Sequence, residues 1–265
     1  MKYVLVTGAY GGMGKKVVET LKNNYFHVFA LDKVVSEPEE FVTPIQADLT
    51  DENSVKNAFE KVKSITNELY AIAHFAGIYS LDSLIEMGEE KFVKAFDVNL
   101  FGAFRINKAF VPLLKSGGRI LITTSELAPL SPLPFTGLYA VTKSALDKYA
   151  YSLRMEVQLL GIKVSVLRPG AVDTGMIDKS TRELDAFCDN TKSYSCNATR
   201  FKNIVNRVEA RKISTQKIAN KTLKILTAKR PRQVYEINRN PLLLILNALP
   251  KTWQTKIIKL ILKNK

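Results

Sequence analysis

Short apolar runs alternate with longer stretches of helical spacing along most of this chain. Residues 2–7 (Lys-Tyr-Val-Leu-Val-Thr) are apolar and β-branched; glycines follow at 8, 11, 12 and 14, and Met13, Val17, Val18 and Leu21 then recur at helical intervals. This order predicts a strand, a tight turn and a helix. Residues 26–31 predict a second strand, ending at Asp32. Two strands joined by one helix in so short a span predict a parallel βαβ unit. The alternation then predicts strands over 41–47, 69–75, 119–124, 162–167 and 233–237, helices over 54–62, 89–114, 137–160 and 215–226, and a polar, irregular region over 175–212. The expected fold is α/β: a single doubly wound parallel sheet of Rossmann type with helices on both faces. In such sheets a ligand sits at the carboxyl ends of the strands, so the residues just after each strand are the ones to read for chemistry.

The pattern changes near residue 239. Residues 240–250 are mostly leucine and isoleucine between two prolines, and 251–263 place Trp253, Ile257, Leu260 and Ile261 on one side of a helix with Lys256, Lys259 and Lys263 toward the other. We expect a catalytic domain over 1–238, a substrate lid over about 175–212, and a basic amphipathic helical tail over 239–265. Charge sharpens that division. The chain of 265 residues carries +14, yet residues 211–265 hold fourteen Lys or Arg against one acid, while residues 1–210 hold 25 basic against 24 acidic residues. A basic amphipathic helix with a Trp suits an anionic membrane surface; packing on the body or on a partner subunit is the other reading. No nucleic-acid-reading motif accompanies the basic residues, so no such partner is expected. Two His, with Cys188 and Cys196 eight residues apart, make no zinc set, and no metal is expected. No apolar stretch is long enough to span a bilayer, and the N-terminal apolar run is short and leads into the glycine turn. The expectation is a cytoplasmic protein, with peripheral membrane association as one of the two readings of the tail.

Each glycine of the turn has a distinct use. Gly8 permits the turn out of the strand, Gly12 lets backbone approach a pyrophosphate, and Gly14 lets the helix pack on the sheet. The helix N-terminus offers free N–H groups to phosphate. Asp32 at the end of the second strand can bind ribose hydroxyls and would repel a 2′-phosphate, which favours NAD over NADP, although Lys33 could tolerate a phosphate. Asp48 could cap the adenine or serve as a helix cap or turn residue.

Tyr139 and Lys143 stand four apart on the helix predicted over 137–160, and so share a face. A free phenol has a pKa of about 10. A neighbouring ammonium favours the phenolate, which can then exchange a proton with an alcohol. Thr7-Gly8-x3-Gly12-x-Gly14 together with Tyr139-x3-Lys143 resembles the classical short-chain dehydrogenase/reductase family over about residues 2–175. The resemblance is carried further by Asn99 in Asp97-Val-Asn99-Leu, by Ala76-Gly77, and by Pro169-Gly170-x3-Thr174. It implies an oxidoreductase in which Tyr139 is the acid/base, Lys143 also holds the nicotinamide ribose, Asn99 supports a relay water, and the Val172 backbone and Thr174 meet the carboxamide. Further cofactor contacts are implied for Thr7, Gly8, Gly12, Met13, Gly14, Asp32, Asp48, Leu49, Ala76, Gly77, Pro169 and Gly170, and a dimer or tetramer is implied.

Two positions depart from the family pattern. His74-Phe75 stands where Asn-Asn is usual, so a structural hydrogen bond must come from elsewhere, and His74 reads as a packed strand residue. The family's Ser usually lies 12 or 13 residues before the Tyr; here position 126 is Glu, and Ser125 lies 14 before. We assign Ser125 to orient the substrate oxygen. The rival places Glu126 in the site, as in sugar-nucleotide dehydratases, whose longer substrate domain this chain lacks. The shift also leaves open a non-catalytic NAD-binding sensor or scaffold. Met176, Ile177, Leu184, Phe187 and Tyr194 of the lid, with Leu130, Leu133 and Phe135, suggest either an apolar rim for a bulky lipophilic alcohol or ketone, or ordinary lid packing. The chain resembles the retinol and hydroxysteroid dehydrogenase-like subgroup, which fits such a substrate.

Overall fold

The computed structural model describes residues 1–209 and 211–263, with the side chains of all of these except 175–182 and 208–209. Seven parallel strands form the central sheet in the order β3-β2-β1-β4-β5-β6-β9. They are β1 (Lys2–Thr7), β2 (Phe26–Asp32), β3 (Val42–Gln46), β4 (Leu69–His74), β5 (Leu114–Thr123), β6 (Lys163–Pro169) and β9 (Val234–Ile237). A second, two-stranded sheet pairs β7 (Val172–Asp173) with β8 (Ile213–Ser214). The order turns outward in both directions from β1 and β4, and the ligand crevice of a doubly wound sheet lies at that switch.

Alternation along the strands splits the core in two. Leu5, Phe29 and Ile72 face α2 (Glu52–Lys63), α4 (Gly102–Phe110) and α5 (Gly137–Val157) through Val55, Ile106 and Leu146. Val4, Val28 and Ala71 face α1 (Gly12–Lys22) and α8 (Thr215–Thr227) through Val17, Leu21, Ile218 and Leu226. Helices therefore cover both faces, as the apolar strands require.

The long helix expected over 89–114 is interrupted. It runs as α3 (Glu89–Phe96), one π-helical turn (Asp97–Phe101), α4 and a short 3₁₀ turn (Val111–Leu113), and Leu114 already belongs to β5. The π turn carries Asn99; such widened turns are frequent at functional sites. The region expected to be irregular is also corrected. It holds α6 (Gly175–Asn190) and α7 (Ser195–Glu209). Its polarity conceals an amphipathic spacing: Leu184 and Phe187 on α6, with Ala198 and Phe201 on α7, bury together against Leu81 and Leu262. The tail forms α9 (Pro241–Ala248) and α10 (Lys251–Leu262).

His74 is a packed strand residue. It is buried at the end of β4, with Nε2 3.0 Å from Asn107 Oδ1. Burial holds its pKa down at about 4, against a smaller upward pull from Asn107. The unfolded chain therefore takes up a proton that the folded chain refuses between pH 6.5 and about 4. Stability contributed by the neutral ring is present above that window and lost as pH falls through it. We expect urea unfolding to show about 2 kcal/mol less stability at pH 5 than at pH 7 from this group. The same comparison in His74→Gln should lack that part of the slope.

Candidate active site

The turn after β1 is built around Gly8, whose φ of +66° is the left-handed conformation that glycine adopts freely. A Cβ at Gly14 would lie 1.9 Å from the Gly8 carbonyl oxygen, and one at Gly12 would lie 2.5 Å from Thr174 Cβ. The loop, the first turn of α1 and Thr174 thus enclose a cradle that side chains on these glycines would fill. No side chain caps the N-terminus of α1. Asp32 braces the loop: its carboxylate accepts from Tyr10 N at 2.9 Å and from Lys33 N at 2.8 Å. Asp48 is a turn residue, accepting from Thr50 N and Thr50 Oγ1 and pairing with Lys33 at 2.7 Å. Partial burial pushes its pKa up, but the hydrogen bonds from Lys33 and Thr50 prevail and hold it at about 2. The Leu49 side chain lies in the core, and its carbonyl accepts from Arg105. Lys33, the residue that could have tolerated a phosphate beside Asp32, is thus engaged with Asp48.

The strand ends after β4, β5 and β6 converge on the same crevice. Thr7 closes the gap left by the missing Asn at position 75: its carbonyl accepts from Phe75 N at 3.0 Å and its hydroxyl from Ala76 N at 3.4 Å. Asn99 completes the bracing. Its Oδ1 accepts from Ile78 N at 2.8 Å, and its Nδ2 donates to Ile78 O and to Thr142 Oγ1, each at 3.0 Å. Both ends of the amide are therefore committed to protein. At Gly77 a Cβ would stand 3.1 Å from Asn99 Oδ1 and 3.3 Å from Lys143 Nζ. An ion pair of Arg168 with Asp147, at 2.7 Å, ties β6 to α5, and Thr124 Oγ1 donates to the same carboxylate.

Tyr139 and Lys143 project from the first turns of α5. Lys143 Nζ donates to the Thr123 carbonyl at 3.2 Å and lies 5.8 Å from the Tyr139 ring centre. The Tyr139 ring meets Tyr79 edge-on at 4.6 Å, and Ser125, whose Oγ accepts from Leu127 N at 3.2 Å, lines the cavity beside it. Burial pushes the phenol up to about 12; the Ser125 hydroxyl pulls it down and the Glu126 carboxylate pushes it up. Burial also brings Lys143 down to about 8. Desolvation thus penalises the charged forms of both groups in the protein without its cofactor.

Ser125, Tyr139, Lys143 and Asn99 are thus brought to one place. Glu126 lines the same cavity and also has a second partner. Its Oε2 accepts from Asn240 N at 2.6 Å, the residue that caps α9. Burial pushes this carboxyl upward, and the hydrogen bond from Asn240 pulls it down. The carboxylate rivalling Ser125 in sequence is engaged in holding the tail.

A cavity of about 550 Å³ opens over Tyr139. Its inner wall includes Met13, Gly77, Ser125, Lys143, Pro169, Gly170, Val172 and Thr174, and its outer wall is hydrocarbon from α7, α9 and α10. Among the described residues, Thr123 Oγ1 on this wall is buried without a hydrogen-bond partner. Glycines that leave a cradle, an uncapped helix N-terminus and an orphan hydroxyl fit a bound dinucleotide.

The apolar rim expected from the lid is largely packing. Leu184, Phe187 and Tyr194 cluster with Phe135, while Leu133 lines the cavity. The side chains of Met176 and Ile177 lie outside the described residues. Sequence reasoning missed Tyr79, Thr123 and the walls from Phe201, Leu243, Leu246 and Ile258. Helical spacing on α7 was the available signal for Phe201; nothing local marks the others. Cys188 and Cys196 are free thiols. Among the described residues, no group of three or more His, Cys, Asp or Glu is placed to hold a metal, and no helix is long and apolar enough to cross a membrane.

The chain belongs to the short chain dehydrogenase family, whose model matches residues 2–185. It is an oxidoreductase of that family and binds a nicotinamide cofactor. Among its relatives is the 3-ketodihydrosphingosine reductase of Bacteroides thetaiotaomicron, 26% identical over 94% of this chain and 92% of that protein. The estradiol 17-beta-dehydrogenase 2 of Mus musculus is 34% identical over 66% of this chain, which spans 49% of that protein. The crystal structure of a short chain dehydrogenase family protein from Francisella tularensis superposes with a TM-score of 0.75 at 25% identity, over 89% of this chain and 97% of the other.

Proposed function

We propose that this chain is an NAD(H)-dependent oxidoreductase interconverting a secondary alcohol and a ketone on a bulky lipophilic molecule. The observation that carries this reading is the cavity itself: Ser125, Tyr139 and Lys143 on the inner wall, with hydrocarbon beyond them. The similarity to a ketosphingoid reductase and a steroid dehydrogenase supports an apolar substrate class. A bound nicotinamide supplies hydride exchange at the carbinol carbon. Tyr139 holds the proton exchanged at the substrate oxygen, and Ser125 orients that oxygen through its hydroxyl. In this geometry Tyr139 is an acid at neutral pH, the form that ketone reduction requires. Lys143 fixes the strand end at Thr123 and favours the phenolate when charged. Asn99 is a positioning residue whose side chain is engaged with Ile78 and Thr142, bracing the strand end beside the site.

The NAD preference is supported by Asp32, at the end of β2 and hydrogen-bonded to the glycine loop. Asp32→Asn keeps an acceptor and removes the charge that repels a 2′-phosphate. Its preference for NAD over NADP is expected to fall about tenfold, a difference of about 1.4 kcal/mol. Comparing kcat/KM for the two cofactors measures it; an unchanged ratio would place the discrimination elsewhere. Exposed Phe101, Phe104, Tyr151 and Met155 support self-association. The substrate reading is tested by kcat/KM across secondary alcohols and ketones of rising chain length. A rise with apolar length is expected, and a preference for small polar alcohols would overturn it.

A further inference from the structure

The apolar cavity reaches the surface at the tail. Leu242 and Ile245 of α9 and Ile261 of α10 line it and are also 64%, 63% and 52% exposed. Next to this mouth stand Trp253 and Leu260, 60% and 79% exposed, neither of which lines the cavity. The face of α10 turned inward is Gln254, Ile258 and Leu262, not the apolar side that its sequence spacing favours. At 3.6 residues per turn, Trp253, Leu260 and Ile261 share an arc with Ile257, which lines the cavity, so apolar surface continues from the mouth onto the outside of the helix. Lys256, Lys259 and Lys263 are exposed on the adjoining arc. Among the described residues no carboxylate forms an ion pair with any of these three.

A contiguous exposed apolar patch calls for a partner, and this one needs both hydrocarbon and negative charge. An anionic bilayer supplies the two at the required depths: acidic headgroups level with the lysines and acyl chains beneath them. The headgroup boundary also favours a Trp. We propose that α9 and α10 dock on an anionic lipid bilayer, with the cavity mouth opening onto it. Resting on the apolar-substrate reading, the proposal adds that substrate reaches Tyr139 from the bilayer. Glu126 then has a clear use, since it anchors the first residue of this docking unit to the loop that carries Ser125.

Trp253 is the only tryptophan in the chain, so its emission reports on this surface alone. The full-length protein would be titrated with vesicles of phosphatidylcholine and with vesicles of phosphatidylcholine and phosphatidylglycerol in equal parts. A blue shift, with quenching by lipids brominated in the chain, is expected with the anionic vesicles only. Lys256→Glu with Lys259→Glu should weaken that binding at least about tenfold. The double variant should keep the wild-type rate on a short alcohol dissolved in buffer and lose rate on a long-chain alcohol held in vesicles. No shift with anionic vesicles, or an equal shift with both kinds, overturns the proposal. A shift that follows protein concentration without lipid assigns the patch to a second copy and overturns it as well. Vesicle binding with no turnover of any apolar alcohol would remove the substrate reading and leave the docking surface standing.

Discussion

Replacing Tyr139 by Phe is expected to lower turnover by about three orders of magnitude while leaving nicotinamide binding largely intact. The substitution removes one oxygen atom and keeps the ring that packs edge-on against Tyr79. The protein should therefore fold as the parent does. What disappears is the proton at the substrate oxygen. The loss should appear in kcat more than in KM, because the missing interaction acts on charge developing during hydride exchange. Cofactor titration followed by fluorescence or calorimetry separates the two effects. Unaltered turnover in Tyr139→Phe would show that another group carries the proton; Glu126, the nearest rival in sequence, is occupied by Asn240.

The second large effect is expected at Gly14. An alanine there would place its Cβ 1.9 Å from the Gly8 carbonyl oxygen, a distance that only backbone movement relieves. That movement displaces the turn out of β1 and the start of α1 together, the two pieces that form the cradle. Overpacking of this kind costs about 1–3 kcal/mol. Gly14→Ala is therefore expected to unfold at lower urea concentration than the parent and to lose measurable NAD binding. Gly88→Ala is the control, because a Cβ at Gly88 meets nothing within 4 Å. If Gly14→Ala bound NAD as tightly as the parent does, the cradle would not be the dinucleotide site.

The sheet was legible because parallel strands buried on both faces leave apolar runs, and those over β1, β2, β4, β5 and β6 are each bounded by a glycine, an acid or a proline. The interruption of the helix at Asp97–Phe101 was not legible, since a π turn keeps helical spacing and changes only the hydrogen-bond step. The helices α6 and α7 were concealed by polar composition, because their buried faces are narrow and meet each other, Leu81 and Leu262. The residues proposed to handle the proton could be read from Tyr139-x3-Lys143 because both members lie on one helix. The hydrogen bond of Glu126 with Asn240, 114 residues away, is a contact that no local pattern encodes. The same holds for the cavity wall. Apolar residues after residue 239 suggested a surface function, and the structure brings Leu243, Leu246 and Ile258 over the site as its outer boundary.

Transfer of the carbinol hydrogen tests the central claim most directly. The protein would be incubated with NAD and a long-chain secondary alcohol deuterated at the carbinol carbon, and the reduced cofactor examined by mass spectrometry. The account predicts one deuterium in each NADH formed by the parent, and a rate lower by about three orders of magnitude in Tyr139→Phe. NADH carrying no deuterium, or no NADH at all from a protein that binds NAD, would contradict it.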